Sequence, residues 1–98
     1  MLYVVLFTDN AEHADARRRL MPDHLAFLER HGDGIHAAGS LRDAADGEAA
    51  GGMWLVQATD AATVMSLVHE DPFWPTGLRR SVRILEWTQV FADGRRRA

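Results

Sequence analysis

Two side chains in this sequence are placed for proton chemistry. His24 shares one helical stripe with Leu20, Phe27, Leu28 and His31 when the segment is drawn at about 3.6 residues per turn. The histidine lies within the apolar arc and not at its polar edge. A titratable ring is therefore turned toward the core or into a cleft. Two readings fit: a buried neutral imidazole that packs and donates one hydrogen bond, or a poised acid or base. Asp71 is the second. It stands between a helical segment and Pro72-Phe73-Trp74-Pro75. Asp before Pro commonly begins a turn. A carboxylate at a helix C-terminus also meets the negative end of the dipole, and Glu70 adds to that mild cost, which hints at another use. Phe73, Trp74 and Trp87 are aromatics able to wall a pocket or to serve as plain core.

Other chemistries have weaker support. His13 and His31 fall near helix ends, and His36 falls on a strand where it could line a cleft. His69-Glu70-Asp71 lacks the His-Glu-x-x-His spacing of a zinc site, so no metal is expected. No Gly-x-Gly-x-x-Gly, P-loop or Gly-x-Ser-x-Gly pattern occurs, and no cofactor is expected. With no cysteine, a disulfide, a thiolate nucleophile and a Cys-type metal site are excluded.

The elements that must position these groups follow from a chain of 98 residues, 47% hydrophobic and 26% charged. That is one ordinary globular domain, able to bury about two-thirds of its unfolded surface. The formal charge of −3 argues against a nucleic-acid partner. All eleven basic residues are arginine, which reads as compositional bias alongside the many alanines. No segment reaches transmembrane length or reads as a secretory leader, so a cytoplasmic location and no membrane partner are expected.

Leu2–Phe7 is an apolar run suited to a strand buried on both faces. A short helix to Leu20 follows, and Pro22 opens a second one that ends at His31–Gly32. Ile35–Leu41 is a weak strand, diluted by alanine and glycine. Arg42–Gly52 reads as a long hairpin loop, with Gly51-Gly52 as its flexible part. Met53–Ala58 is a strong strand. Asp60 caps a helix through Glu70, on which Val64, Leu67 and Val68 share one face. Phe73–Gly77 is a loop, and Arg79–Phe91 reads as a long final strand.

The order β-α-β-β-α-β predicts an α+β, ferredoxin-like fold: a four-stranded antiparallel sheet with the helices on one face. One domain over residues 1–92 and a solvated tail over residues 93–98 are expected. In this topology the first and third strands are central, and these are the two continuous apolar runs. Since both their faces are apolar, a monomer would expose a large apolar sheet surface. A homodimer that joins the open faces is therefore expected.

Taken in order, Pro22-Asp23-His24-Leu25 with Phe27-Leu28, Ala38-Gly39-Ser40-Leu41, Asp71-Pro72-Phe73 and Gly77-Leu78 resemble the YciI-like (YCII-related) domain family. The resemblance runs from Met1 to about Phe91. It implies a dimeric α+β barrel and a helix histidine paired with the aspartate of the Asp-Pro segment, which here are His24 and Asp71. The family includes a dehydrochlorinase of chlorinated hydroquinone-type rings. Members often carry an arginine three residues before the histidine. Met21 stands there in this chain, with Arg18 and Arg19 nearby.

The resemblance thus implies a cofactor-independent enzyme. A His24–Asp71 dyad would perform general acid/base chemistry in an elimination, isomerisation or lactone-type reaction. The ligand would be a small cyclic or aromatic metabolite, with Ser40, Phe73 and Trp74 as substrate-binding residues. The alternative is a non-catalytic module for small-ligand binding or dimerisation.

Overall fold

A computed structural model describes residues 1–97. Strand β1 (Leu2–Asp9) is followed by a 3₁₀ turn at Ala11–His13, whose cap Asn10 accepts from the Glu12 amide. Helices α1 (Ala14–Arg19) and α2 (Met21–Arg30) come next, separated by Leu20. Pro22 sits in the first turn of α2, where its missing N–H costs nothing. Strands β2 (Ile35–Arg42) and β3 (Ala49–Gln57), helix α3 (Ala61–Glu70) and strand β4 (Arg79–Glu86) complete the main body.

The sheet is antiparallel with order β2-β3-β1-β4, so the two apolar runs are central, as the sequence predicts. Its covered face buries Tyr3, Val5 and Phe7 of β1 with Trp54 and Val56 of β3. Phe27 of α2 and Val64 and Val68 of α3 close over them in one cluster. The period-2 alternation of β1 carries Asp9 onto the same side as Phe7.

The opposite face keeps its apolar side chains outside both core clusters. Two rows cross it in register: Ala37, Leu55, Val4 and Leu85, and beside them Gly39, Met53, Leu6 and Arg83. Met53 and Leu85 are exposed there.

Three expectations are corrected. Strand β3 begins at Ala49, so Gly51 and Gly52 are buried strand residues and not a flexible loop. Gly51 has φ +129°, and a Cβ there would lie 1.9 Å from the carbonyl oxygen of Phe7. Only glycine permits that approach of β3 to β1. The final strand stops at Glu86 and does not run on to Phe91. Instead strand β5 (Phe91–Ala92) pairs with strand β6 (Arg95–Arg96). Their turn is Asp93-Gly94, with φ of +54° and +75°, the left-handed pair that a two-residue hairpin turn requires. The expected tail over residues 93–98 is therefore a hairpin as far as it is described, and Ala98 lies outside the described residues. Among them, no helix is long and apolar enough to cross a membrane.

Candidate active site

Helix α2 turns its buried side inward at two positions, His24 and Phe27. Phe27 enters the core, and His24 reaches the segment that leaves α3. There Asp71 ends the helix in extended conformation, as the residue before a proline must. The geometry carries the Asp71 side chain into the interior, where it is 2% exposed. His24 Nδ1 and Asp71 Oδ1 are 2.8 Å apart. The same oxygen accepts the backbone N–H of Phe73 at 3.1 Å. An ionised carboxylate only accepts, so His24 Nδ1 carries the proton of this bond. In the neutral ring Nε2 is then the free acceptor.

Phe73 is fully buried and stacks on the imidazole, with centroids 4.1 Å apart and planes 18° from parallel. It backs the histidine and does not line the adjacent cavity. Trp74 also lies outside that lining, packed against His69 at 4.7 Å. The structure thus assigns Phe73 to support of the His24 ring and Trp74 to the core edge. Ser40 does line the cavity, on the side of β2 that faces the helices.

The cavity holds about 130 Å³. An engineered cavity of about 150 Å³ is known to take benzene, so this one suits a single small ring. Its apolar wall includes Met21, Leu25, Leu28 and Trp54; its polar members are His24, Ser40, Arg17 and Arg79.

The two arginines belong to a chain of alternating charge that the sequence reading did not find. Arg17 Nη2 donates to Asp9 Oδ2 at 2.5 Å. Asp9 Oδ1 accepts from Arg79 Nη1 at 3.3 Å. Arg79 Nη2 lies 3.6 Å from Asp71 Oδ2, and Asp71 Oδ1 holds His24. The Arg79 side chain is only 3% exposed and lies flat on Phe7, its guanidinium carbon 4.0 Å from the ring centroid. Burial pushes this guanidinium below its ordinary value, against the opposing pull of Asp71 and Asp9. It remains a cation, as arginine does in proteins. Gly52 makes room for it: a Cβ there would lie 3.1 Å from Nη1.

A β-bulge places Arg79. Thr8 pairs with Ser81, but the next residue, Asp9, pairs with Arg79, leaving Arg80 as the extra residue. Val82 and Ile84 pack toward the covered face, so strict alternation would point Arg80 inward. The bulge gives that position to Arg79 and leaves Arg80 exposed. Arg18 and Arg19, the neighbours of Met21, point into solvent and pair with Asp15. Of the three members missed, Arg17, Arg79 and Asp9, only Asp9 had a sequence signal: it continues the buried phase of β1 as a carboxylate.

No group of three or more His, Asp or Glu side chains able to hold a metal occurs among the described residues. Asp71 Oδ2 and Arg79 Nε are the buried side-chain polar atoms without a hydrogen-bond partner there. His24 Nε2 is not among them. With Nδ1 held by Asp71, Nε2 is the ring nitrogen left for the cavity.

No curated protein sequence matches the chain. Among solved structures it is similar to the 5-chloro-2-hydroxyhydroquinone dehydrochlorinase TftG from Burkholderia phenoliruptrix, in complex with 2,5-dihydroxybenzoquinone. The TM-score is 0.78 at 26% identity, over 90% of this chain and 94% of that one. The model of the YCII-related domain matches residues 1–88. The chain therefore belongs to the YCII-related domain family.

Proposed function

We propose that the protein is an enzyme that moves a proton on a small cyclic or aromatic metabolite, with His24 as acid/base and Asp71 as its orienting partner. One observation carries this reading: a buried histidine held at Nδ1 by a carboxylate, its other nitrogen left to a cavity of single-ring size. Asp71 fixes the tautomer and stabilises the imidazolium that forms. His24 Nε2 takes a proton from a ring carbon or hydroxyl. The electron pair released moves into the ring and expels a leaving group or relocates a double bond. In an isomerisation the imidazolium returns the proton at another position of the ring; in an elimination the halide departs and the imidazolium gives its proton to solvent. No electron acceptor is needed, so elimination, isomerisation and lactone chemistry all fit without a cofactor. Ser40 is placed to orient a ring substituent.

The likeness to a dehydrochlorinase of a hydroxylated ring supports elimination as the first chemistry to assay. Single-ring hydroquinones bearing a halide are offered to the wild type and to His24→Asn, and halide release is followed. Turnover should fall by about 10²–10⁴-fold in the variant. Turnover that ignores His24 would overturn the reading.

The reading includes a homodimer. The rows on the open face, Leu55, Val4 and Leu85 beside Met53 and Leu6, form the kind of contiguous apolar surface that soluble monomers rarely leave bare. A second copy of the same sheet face would cover it.

A further inference from the structure

The polar lining of the cavity is one-signed. Two arginines, Arg17 and Arg79, line it together with His24 and Ser40, and no carboxylate does. The two arginines are not equivalent. Arg79 is 3% exposed and sits between two carboxylates. Arg17 is 25% exposed and, among the described residues, gives a single hydrogen bond, from Nη2 to Asp9. Its remaining N–H donors have no protein acceptor there. Asp9 fixes the guanidinium by one edge, and its carbon lies 5.6 Å from the centroid of Phe73, the ring that backs His24. A cation is thus held beside the histidine with donors to spare. Met21 occupies the same lining without charge.

We infer that the cavity selects a single-ring substrate bearing an ionised oxygen, and that Arg17 is the residue that grips this oxygen. The inference rests on the cavity being the substrate site and not on His24 being the base. A planar fork with free N–H groups matches a carboxylate or an enolate-type oxygen. Such an oxygen also becomes more anionic when a ring proton leaves, so the same grip strengthens as the reaction proceeds.

The test is calorimetric titration with two probes. 2,5-Dihydroxybenzoquinone is acidic and carries ionised oxygens near neutral pH; its dimethyl ether keeps the ring and cannot ionise. The wild type should bind the acid roughly tenfold or more tightly than the ether. Arg17→Met should erase that preference by weakening the acid alone. Asp9→Asn should tighten the acid several-fold, because it removes the carboxylate that competes for Arg17; a variant that merely misfolds cannot gain affinity. Equal binding of the acid by wild type and Arg17→Met would overturn the inference, as would an ether that binds as well as the acid, or a wild type that binds neither. Binding through Arg17 with no turnover dependent on His24 would keep this inference and refute the catalytic proposal.

Discussion

Arg79 faces Asp9 across the last step of the β1–β4 ladder, one residue earlier in β4 than a regular register would place it. The bulge thereby delivers a cation to the interior between two carboxylates, Asp9 at 3.3 Å and Asp71 at 3.6 Å. Neither carboxylate is left without a positive neighbour. The cluster ties Asp71, whose other oxygen holds His24 at 2.8 Å, to the arginine of β4.

Removing that cation should be costly. Arg79→Met leaves two carboxylates facing a buried apolar side chain, a change worth about 3–5 kcal/mol when one member of a buried pair is deleted. Urea denaturation measures it. Adding Asp71→Asn to Arg79→Met should recover part of the loss, since the two residues share one interaction. A loss from Arg79→Met no larger than about 0.5 kcal/mol, the scale of an ordinary surface change, would show that the cluster does not depend on this arginine.

Gly51→Ala tests the contact between β3 and β1. The new Cβ meets the Phe7 carbonyl at 1.9 Å in a backbone conformation with φ +129°. Destabilisation of about 3 kcal/mol or more is expected from strain and forced displacement. Gly39→Ala is the control: its Cβ has nothing within 4 Å, and thermal unfolding should barely move. Equal effects at the two glycines would contradict the packing described.

Acid sensitivity has one identifiable source at the start of α3. The Thr63 backbone N–H, and then its hydroxyl, donate to Asp60 and hold that carboxyl below its ordinary 3.8. The folded value is depressed, so the stabilisation is fully present above 3.8 and is lost as pH falls through the lower folded value. Asp60→Asn keeps a capping side chain that does not titrate. The stability difference between wild type and variant should therefore be flat near neutral pH and shift against the wild type in acid. A difference that stays constant down to about pH 2 would rule out Asp60 as a source.

Leu55→Glu puts a charge at the centre of the open sheet face, between Ala37 and Val4. Under the proposed dimer it should produce a monomer in sedimentation, with the covered-face core and the cavity left folded. A wild type that sediments as a monomer at micromolar concentration would end the dimer proposal.

Much of this arrangement was legible in the sequence, for physical reasons. Leu2–Phe7 and Met53–Val56 announced the central strands because both their faces are apolar. The helical stripe through Phe27 announced that His24 points inward, and Asp71 before Pro72 announced a chain leaving helical geometry at a carboxylate. Other features depend on tertiary contacts. Gly51 and Gly52 read as a loop because glycine pairs usually are one; only Phe7 and Arg79 explain why a strand needs them. Arg79 was hidden because alternation from Ile84 and Val82 selects Arg80, and a bulge is invisible to a period of two. Phe73 was expected at the cavity as an aromatic near the aspartate, but the Asp71 oxygen that accepts its N–H draws it behind the imidazole. The early end of β4 follows from its partner: Glu86 pairs with Tyr3 and the Trp87 N–H with the Leu2 carbonyl, where β1 begins, so no strand remains for later residues to pair with there.

The stacking of Phe73 on His24 has a spectroscopic consequence. A benzene ring lying nearly parallel to the imidazole at 4.1 Å shields the imidazole protons by its induced magnetic field. Of the other histidines, His31 and His69 meet aromatic rings at tilts of 52° and 38°, a geometry that shields less. The carbon-bound ring protons of His24 should therefore resonate upfield of the rest, resolved without isotopic labels. The fold marks the histidine it buries, and a molecule entering the cavity would report its arrival on that one signal.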